Sequence, residues 1–231
     1  MLQKKSLNKV GQIEDALAVI HDGSTLMFGG FGGIGNPPTL IRGIVNKGVK
    51  DLTLIGNDTA FPTIGIGQLI KHKQAKKVIA SHIGSNPLAG QQMVDGELEV
   101  EFSPQGTLAE RIRAGGVGIP AFLTDVGIGS MVEEGKEKIV LNEKEYLLET
   151  ALRADVSIVY AKKADRFGNL IYETSARNTN PLVAMAGTFT IAEVEEIVEM
   201  GELDPTEIIT PGIFVDLIIQ SKGVDWQWVW E

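Results

Sequence analysis

Asp22-Gly-Ser-Thr-Leu-Met-Phe-Gly-Gly-Phe-Gly-Gly-Ile-Gly-Asn-Pro-Pro38 is the stretch from which the rest of the chain is read. Thr25 to Phe28 is an apolar run that suits a buried strand. Five glycines follow within seven residues: Gly29, Gly30, Gly32, Gly33 and Gly35. Such density means a backbone that visits positive φ and lets something approach without Cβ atoms in the way. Amides left free in such a loop, beside a helix start, can hold an anion. The plainer alternative is a glycine-rich turn between a strand and a helix. Asn36 fits an N-cap and Pro37 the first helical position, where no N–H is needed.

Outward from this loop the pattern alternates. Val10, Ile13, Leu17 and Ile20 form the apolar face of a first helix. After the loop, Leu40, Ile41, Ile44 and Val45 form a second, ending at Gly48. Leu52 to Ile55 and Val78 to Ala80 are further strands, with a short helix around Ile66, Leu69 and Ile70 between them. Strands alternating with helices predict an α/β fold: three α/β/α layers around a mainly parallel sheet. Ligands of such sheets bind at the carboxyl ends of strands, so the turns Gly29–Asn36, Gly56–Asp58 and Ser81–Asn86 are predicted to share one functional edge.

Residues 97 to 103 alternate, predicting a half-exposed strand with Glu97, Glu99 and Glu101 turned to solvent. A helix over Leu108 to Arg113 is expected to end at Gly115-Gly116, with residues 114 to 130 irregular. Ile139–Leu141 and Tyr146–Leu148 read as a hairpin. Val156–Tyr160, Asn169–Glu173, Thr188–Val194 and Phe214–Ile219 are expected strands of a β-rich second half. A polar turn, Ser175 to Pro181, precedes a small-residue helix reaching Gly187. All three tryptophans lie in the tail from Asp225 to Glu231, which reads as an edge strand or subunit contact. No internal repeat or linker is evident, and residues 1–231 read as one domain.

Composition bounds the function. The formal charge of −9 argues against nucleic acid as a partner. The basic run Lys71 to Lys77 reads as a solvated helix end, with phosphate contact as the second reading. The absence of cysteine excludes disulfides, thiolate metal sites and cysteine nucleophiles. No histidine spacing suggests a metal, and no apolar run reaches the roughly 18 residues that span a bilayer. The N-terminus has no apolar core of a secretory signal, so a cytoplasmic protein is expected.

Gly30-Phe-Gly-Gly-Ile-Gly35 matches the dinucleotide fingerprint after a strand, which raises a nucleotide-dependent oxidoreductase. Against it, Pro37-Pro38 delays the helix, Asp51 precedes the second strand and Asp58 lies beyond it. A loop that stabilises an oxyanion in acyl transfer is the alternative.

The segments Asp22–Pro37, Asp51–Phe61, Lys77–Gly84, Pro104–Gly116, Gly168–Leu170 and Ser175–Pro181 together resemble the α subunits of family I coenzyme A transferases, over nearly the whole chain. The resemblance implies exchange of CoA between a short-chain acyl-CoA (acetyl-, butyryl- or acetoacetyl-CoA) and a free acid, through a covalent glutamyl-CoA intermediate. It implies no permanent cofactor and no metal, the CoA thioester being a substrate. In that family the nucleophilic glutamate lies in a Glu-Asn-Gly motif of the β subunit, and this chain has no such motif. No catalytic residue is therefore expected here, and the implied partner is a β subunit in an αβ or α2β2 assembly. Gly29, Gly30, Phe31, Gly32, Gly33, Ile34 and Gly35 are the implied CoA-binding and oxyanion loop. Asn57 and Gln105 are weaker substrate candidates, and Arg177 fits a buried ion pair or turn support as well as a substrate contact. Thr188–Val194 and the tryptophan tail are the expected subunit contacts. A CoA- or nucleotide-binding regulatory module without catalysis is the non-enzyme alternative.

Overall fold

The computed structural model describes residues 7–229. Its elements in chain order are α1 (Ile13–Ala18), β1 (Thr25–Phe28), α2 (Pro38–Lys47), β2 (Leu52–Ile55), α3 (Gly67–Lys71), β3 (Ala75–Ala80), α4 (Pro87–Val94), β4 (Glu99–Phe102) and α5 (Gln105–Val117). Then follow β5 (Ala121–Thr124), β6 (Lys138–Leu141), β7 (Lys144–Thr150), β8 (Ala154–Asp165), β9 (Leu170–Ile171), α6 (Asn180–Ala186), β10 (Gly187–Val198) and β11 (Leu217–Gln220).

One sheet runs β11-β10-β8-β1-β2-β3-β4, with β9 added antiparallel to β8. All other pairings in it are parallel, and β1 sits at its middle. Alternation along β1 sends Leu26 and Phe28 to one face and Met27 to the other. On the first face lie Ala16, Leu40, Ile41, Ile44, Leu69 and Ala89, from α1 to α4. On the second lie Leu108, Ile112, Val183 and Ala184, from α5 and α6. The three layers are those the sequence predicts. A smaller antiparallel sheet, β5-β7-β6, stands apart, and its hairpin turns at Asn142 and Glu143, both in the left-handed region.

Several expectations change. Helix α1 is shorter, and Val10 leaves it to bridge Ile218 beside β11. Gly115 and Gly116 do not end α5; they lie within it, because a Cβ at either would meet Leu152 or Met185. The helix stops at Gly118, and residues 121 to 124 of the expected irregular stretch form β5. The acidic strand starts at Glu99, and Glu101 is not simply a solvent-face acid. It bonds Arg111 at 2.9 Å and Lys77 at 3.1 Å. Burial raises its pKa, but the two cations outweigh burial and hold its carboxyl below the usual glutamate range. Lys73 and Lys77 of the basic run are paired with Glu97, Glu99 and Glu101. Residues 190–194 are buried, with β10 running between β8 and β11, while Thr188 is exposed. The tail is not an edge strand. It leaves β11, ties to α2 through Arg42–Asp225 at 2.6 Å, and sets Trp226 edge-on to Trp228. Trp230 lies outside the described residues. Among the described residues no helix is long and apolar enough to cross a membrane.

The start of α2 is held from an unexpected direction. Pro37, not Asn36, occupies the N-cap position. The first free amides, of Thr39 and Leu40, donate instead to the buried carboxylate of Glu193 on β10, at 3.0 and 2.9 Å. Ser221 donates to the same group at 2.5 Å. Burial pushes the Glu193 carboxyl above its usual 4.5, with the Ser221, Leu40 and Thr39 donors pulling it back. A carboxyl with a raised folded pKa adds stability that is full below 4.5 and is lost as pH rises through the folded value. The stability advantage of the native chain over Glu193→Gln should therefore shrink with rising pH, read from urea midpoints between roughly pH 4 and 8. Parallel pH profiles would show that Glu193 does not carry this linkage.

Candidate active-site half at the glycine loop

Strands β1, β2 and β3 deliver their three following turns to one edge, as their order requires. Asp58 pairs with His82 as an isolated bridge, joining the second turn to the third. The glycine loop and the second turn are built alike. Phe31 bridges Ile34, and Phe61 bridges Ile64. Ile34 N–H donates to Phe31 O and Ile64 N–H to Phe61 O, each at 3.0 Å. Phe31-Gly-Gly-Ile-Gly35 and Phe61-Pro-Thr-Ile-Gly65 are thus a short internal repeat that the sequence reading missed.

Three asparagine side chains replace regular secondary structure in fixing the loop. Asn36 donates to Gly29 O at 2.7 Å and accepts Ile66 N–H at 2.9 Å, tying the first turn to the second. Capture by these two backbone groups is why it does not cap α2. Asn178 accepts Gly30 N–H at 3.0 Å and donates to Ile34 O at 2.9 Å. Asn180, fully buried, accepts Tyr160 N–H and donates to Gly35 O, both at 3.0 Å. The polar turn before α6 is therefore the clamp of the glycine loop. Arg177 in the same turn is exposed and makes no ion pair among the described residues, so it is not part of a buried pair.

The glycines differ in what they permit. A Cβ on Gly29 would lie 1.9 Å from Asn180 Oδ1. One on Gly33 would lie 2.3 Å from Ile64 Cγ2 and 3.2 Å from the Trp228 ring, which places the tail against the loop. One on Gly32 would meet nothing closer than 4.0 Å.

Most loop amides are already engaged. Gly29 N–H donates to Ile158 O, Phe31 N–H to Ile34 O, and Gly32 N–H to the Asp58 carboxylate at 2.9 Å. Gly33 and Gly35 N–H have no acceptor among the described residues. Asp58 is the residue that sequence reasoning passed over. Buried at the end of β2, it also accepts Ala60 N–H at 2.7 Å and Asn57 Nδ2 at 2.8 Å. Asn57 Oδ1 in turn accepts Gln105 Nε2 at 3.0 Å. The two weak candidates are thus brought together, in a chain running Gln105, Asn57, Asp58, Gly32. The signal was available in Asn57-Asp58, a polar pair directly after an apolar strand.

These residues line a cavity of about 460 Å³, with Phe31, Ile34, Phe61, Ser81, His82 and Ser85 as its other walls. A larger depression of about 760 Å³ lies between α1 and α2, but none of the loop glycines lines it. The loop-bounded cavity is the candidate site. Among the described residues no glutamate lines it.

Residues 10–221 match the family model described as coenzyme A transferase. The chain is 57% identical to the α subunit of a probable coenzyme A transferase of Bacillus subtilis (strain 168), covering 96% of this chain and 98% of that one. It is 51% identical to the α subunit of the acetate CoA-transferase of Escherichia coli (strain K12), over 93% and 97% of the two chains. It is 53% identical to the corresponding subunit of a probable succinyl-CoA:3-ketoacid coenzyme A transferase of B. subtilis (strain 168), over 92% and 91%.

The geometry predicts coupling between the loop and its clamp. Gly29→Ala and Asn180→Ala should each destabilise the chain by about 2 kcal/mol or more, the first by collision and the second by stranding buried backbone groups. In the double mutant the shortened side chain makes room for the new Cβ, so the loss should fall short of the sum by about 1 kcal/mol or more in urea titrations. Simple additivity would contradict the interlock.

Proposed function

This chain belongs to the coenzyme A transferase family, and from that premise we propose that it supplies one half of a composite site, completed by the glutamate of a β subunit. Residues 1–231 act in this reading as one α-subunit domain. The observation that carries it is a preformed cavity with a glycine loop on its rim, polar groups on its floor and, among the described residues, no glutamate in its lining. Covalent CoA transfer needs a carboxylate nucleophile. Among the described residues the side that presents the loop offers no glutamate, and its one lining carboxylate, Asp58, is held by three donors.

The reaction then runs in balanced steps. The partner's glutamate attacks the acyl-CoA carbonyl carbon, the C–S bond breaks, and the CoA thiolate leaves an acyl-glutamyl anhydride. The thiolate attacks the glutamyl carbonyl and releases the first acid. The resulting glutamyl-CoA thioester passes CoA to the incoming carboxylate by the same steps reversed. Gly29 to Gly35 face this chemistry as the CoA-binding and oxyanion loop. Within it Gly33 and Gly35 have the uncommitted amides, whereas the Gly32 amide is held by Asp58. Asn57 and Gln105 present amide groups at the cavity wall, where a carboxylate or thioester oxygen would sit. The exposed rings and branches of Phe31 and Ile34 are the rim on which the partner closes. The acids are short-chain, in keeping with the acetate relative and with the cavity's size. The relative named for succinyl-CoA is the reason to test a dicarboxylate beside them. An αβ or α2β2 assembly in the cytoplasm completes the reading.

Purified alone, the chain should transfer no CoA and give no adduct on borohydride trapping. Co-purified with a Glu-Asn-Gly-containing subunit, it should do both, with ping-pong kinetics. Full turnover by the isolated chain would overturn the composite-site reading. Tight CoA binding by the isolated chain, with no partner able to restore transfer, would favour the regulatory-module alternative.

A further inference from the structure

We propose that Asp58 selects the acid by charge, excluding dicarboxylates and leaving monocarboxylates with short apolar tails as the substrates. The proposal rests on the transferase reading of this cavity and names its substrate class.

The charge inventory of the cavity is short. Phe31, Ile34 and Phe61 give its apolar walls, and among the described residues neither lysine nor arginine lines it. His82 is turned to Ser85, its Nε2 lying 3.0 Å from Ser85 Oγ and accepting the Ser85 N–H at 3.2 Å. Among the described residues Asp58 is the one carboxylate of the lining. Its own partners fix its state. Gly32 N–H, Ala60 N–H and Asn57 Nδ2 all donate, and between them they occupy both carboxylate oxygens. Nothing in this set accepts a proton from Asp58, so the geometry is that of a carboxylate.

An acid that takes CoA must point one carboxylate at the reacting centre. The tail of a monocarboxylate then lies on apolar wall, where burial favours it. A dicarboxylate must bring a second charge into the same cavity. That charge loses water, meets no cation from this chain, and faces Asp58. The three N–H donors on Asp58 weaken its field without reversing it. The same residue that pins Gly32, and so shapes the rim, thereby reads the charge of what enters.

The test uses the assembled α–β enzyme with acetyl-CoA as donor and propionate, butyrate, succinate or glutarate as acceptor. The native enzyme should prefer butyrate over succinate by about tenfold or more in kcat/KM. Asp58→Asn should narrow that ratio about fivefold or more, through a gain for succinate rather than a loss for butyrate alone. Because Asn places a donor where only donors now point, Asp58→Asn can fail to fold. Ser85→Lys is the second variant: it adds a cation at the cavity wall outside the Asp58 hydrogen bonds, and should narrow the ratio in the same direction. A native enzyme that uses succinate as well as butyrate, or a ratio unmoved in every variant that folds, overturns the charge proposal. A native complex that transfers CoA to no acid overturns the transferase reading beneath it instead.

Discussion

Everything at the functional edge depends on how a run of seven residues with no helix and little strand satisfies its backbone. A buried peptide group without a partner costs about 1–3 kcal/mol, so an open loop at a sheet edge must find acceptors and donors elsewhere. Here they come from side chains distant in sequence: Asn36 for Gly29 O, Asn178 for Gly30 N–H and Ile34 O, Asn180 for Gly35 O, and Asp58 for Gly32 N–H. The three asparagines are also side chains that a Cβ on the loop would strike, most closely at Gly29 and Gly30. The glycines serve less to make the loop flexible than to let these three asparagines reach it. Two of the clamps come from the turn before α6 and from its first residue, more than 140 residues away, so the loop takes its shape only when β8 and α6 have joined β1.

That origin explains a division of labour. The first half of the chain builds the three turns that bound the cavity. The second half extends the sheet beyond β1 and sends back the asparagines that hold the first turn in place. Glu193 acts likewise from β10, reaching over to the start of α2. The cavity is then a product of the whole sheet, and its floor is hydrogen-bonded within this chain. Such preorganisation suits acyl transfer, in which fixed dipoles stabilise a transient charge without having to reorient.

The sequence made the frame legible because its signals are local. Apolar runs of three or four residues separated by helical periodicity mark β1, β2 and β3, and their order alone places the three turns together. What lay outside its reach were roles set by distant partners. Asn36 before Pro37-Pro38 has the form of a helix cap, and nothing nearby tells that Gly29 O and Ile66 N–H claim it first. Gly115-Gly116 has the form of a helix stop, and the tight approach of Leu152 and Met185 that demands small residues there is tertiary. Asp58 suggests at most a ribose ligand, and its true setting depends on the Gly32 amide arriving from another turn. The Phe-x-x-Ile-Gly repeat rests on three residues in five and is visible only once both turns are seen to close in the same way. The family resemblance supplied what periodicity did not: the chemistry, and the expectation that the nucleophile lies elsewhere.

The central claim is that the loop is a finished half-site in this chain alone. Amide hydrogen exchange tests it most directly, comparing residues 29–36 in the isolated chain with the same residues in the assembled enzyme supplied with acyl-CoA. A finished half-site predicts that the amides of Gly29, Gly30 and Gly32 exchange slowly already in the isolated chain, with new protection on assembly concentrated at Gly33 and Gly35. Exchange of the whole loop at unfolded-chain rates until the partner binds would contradict it.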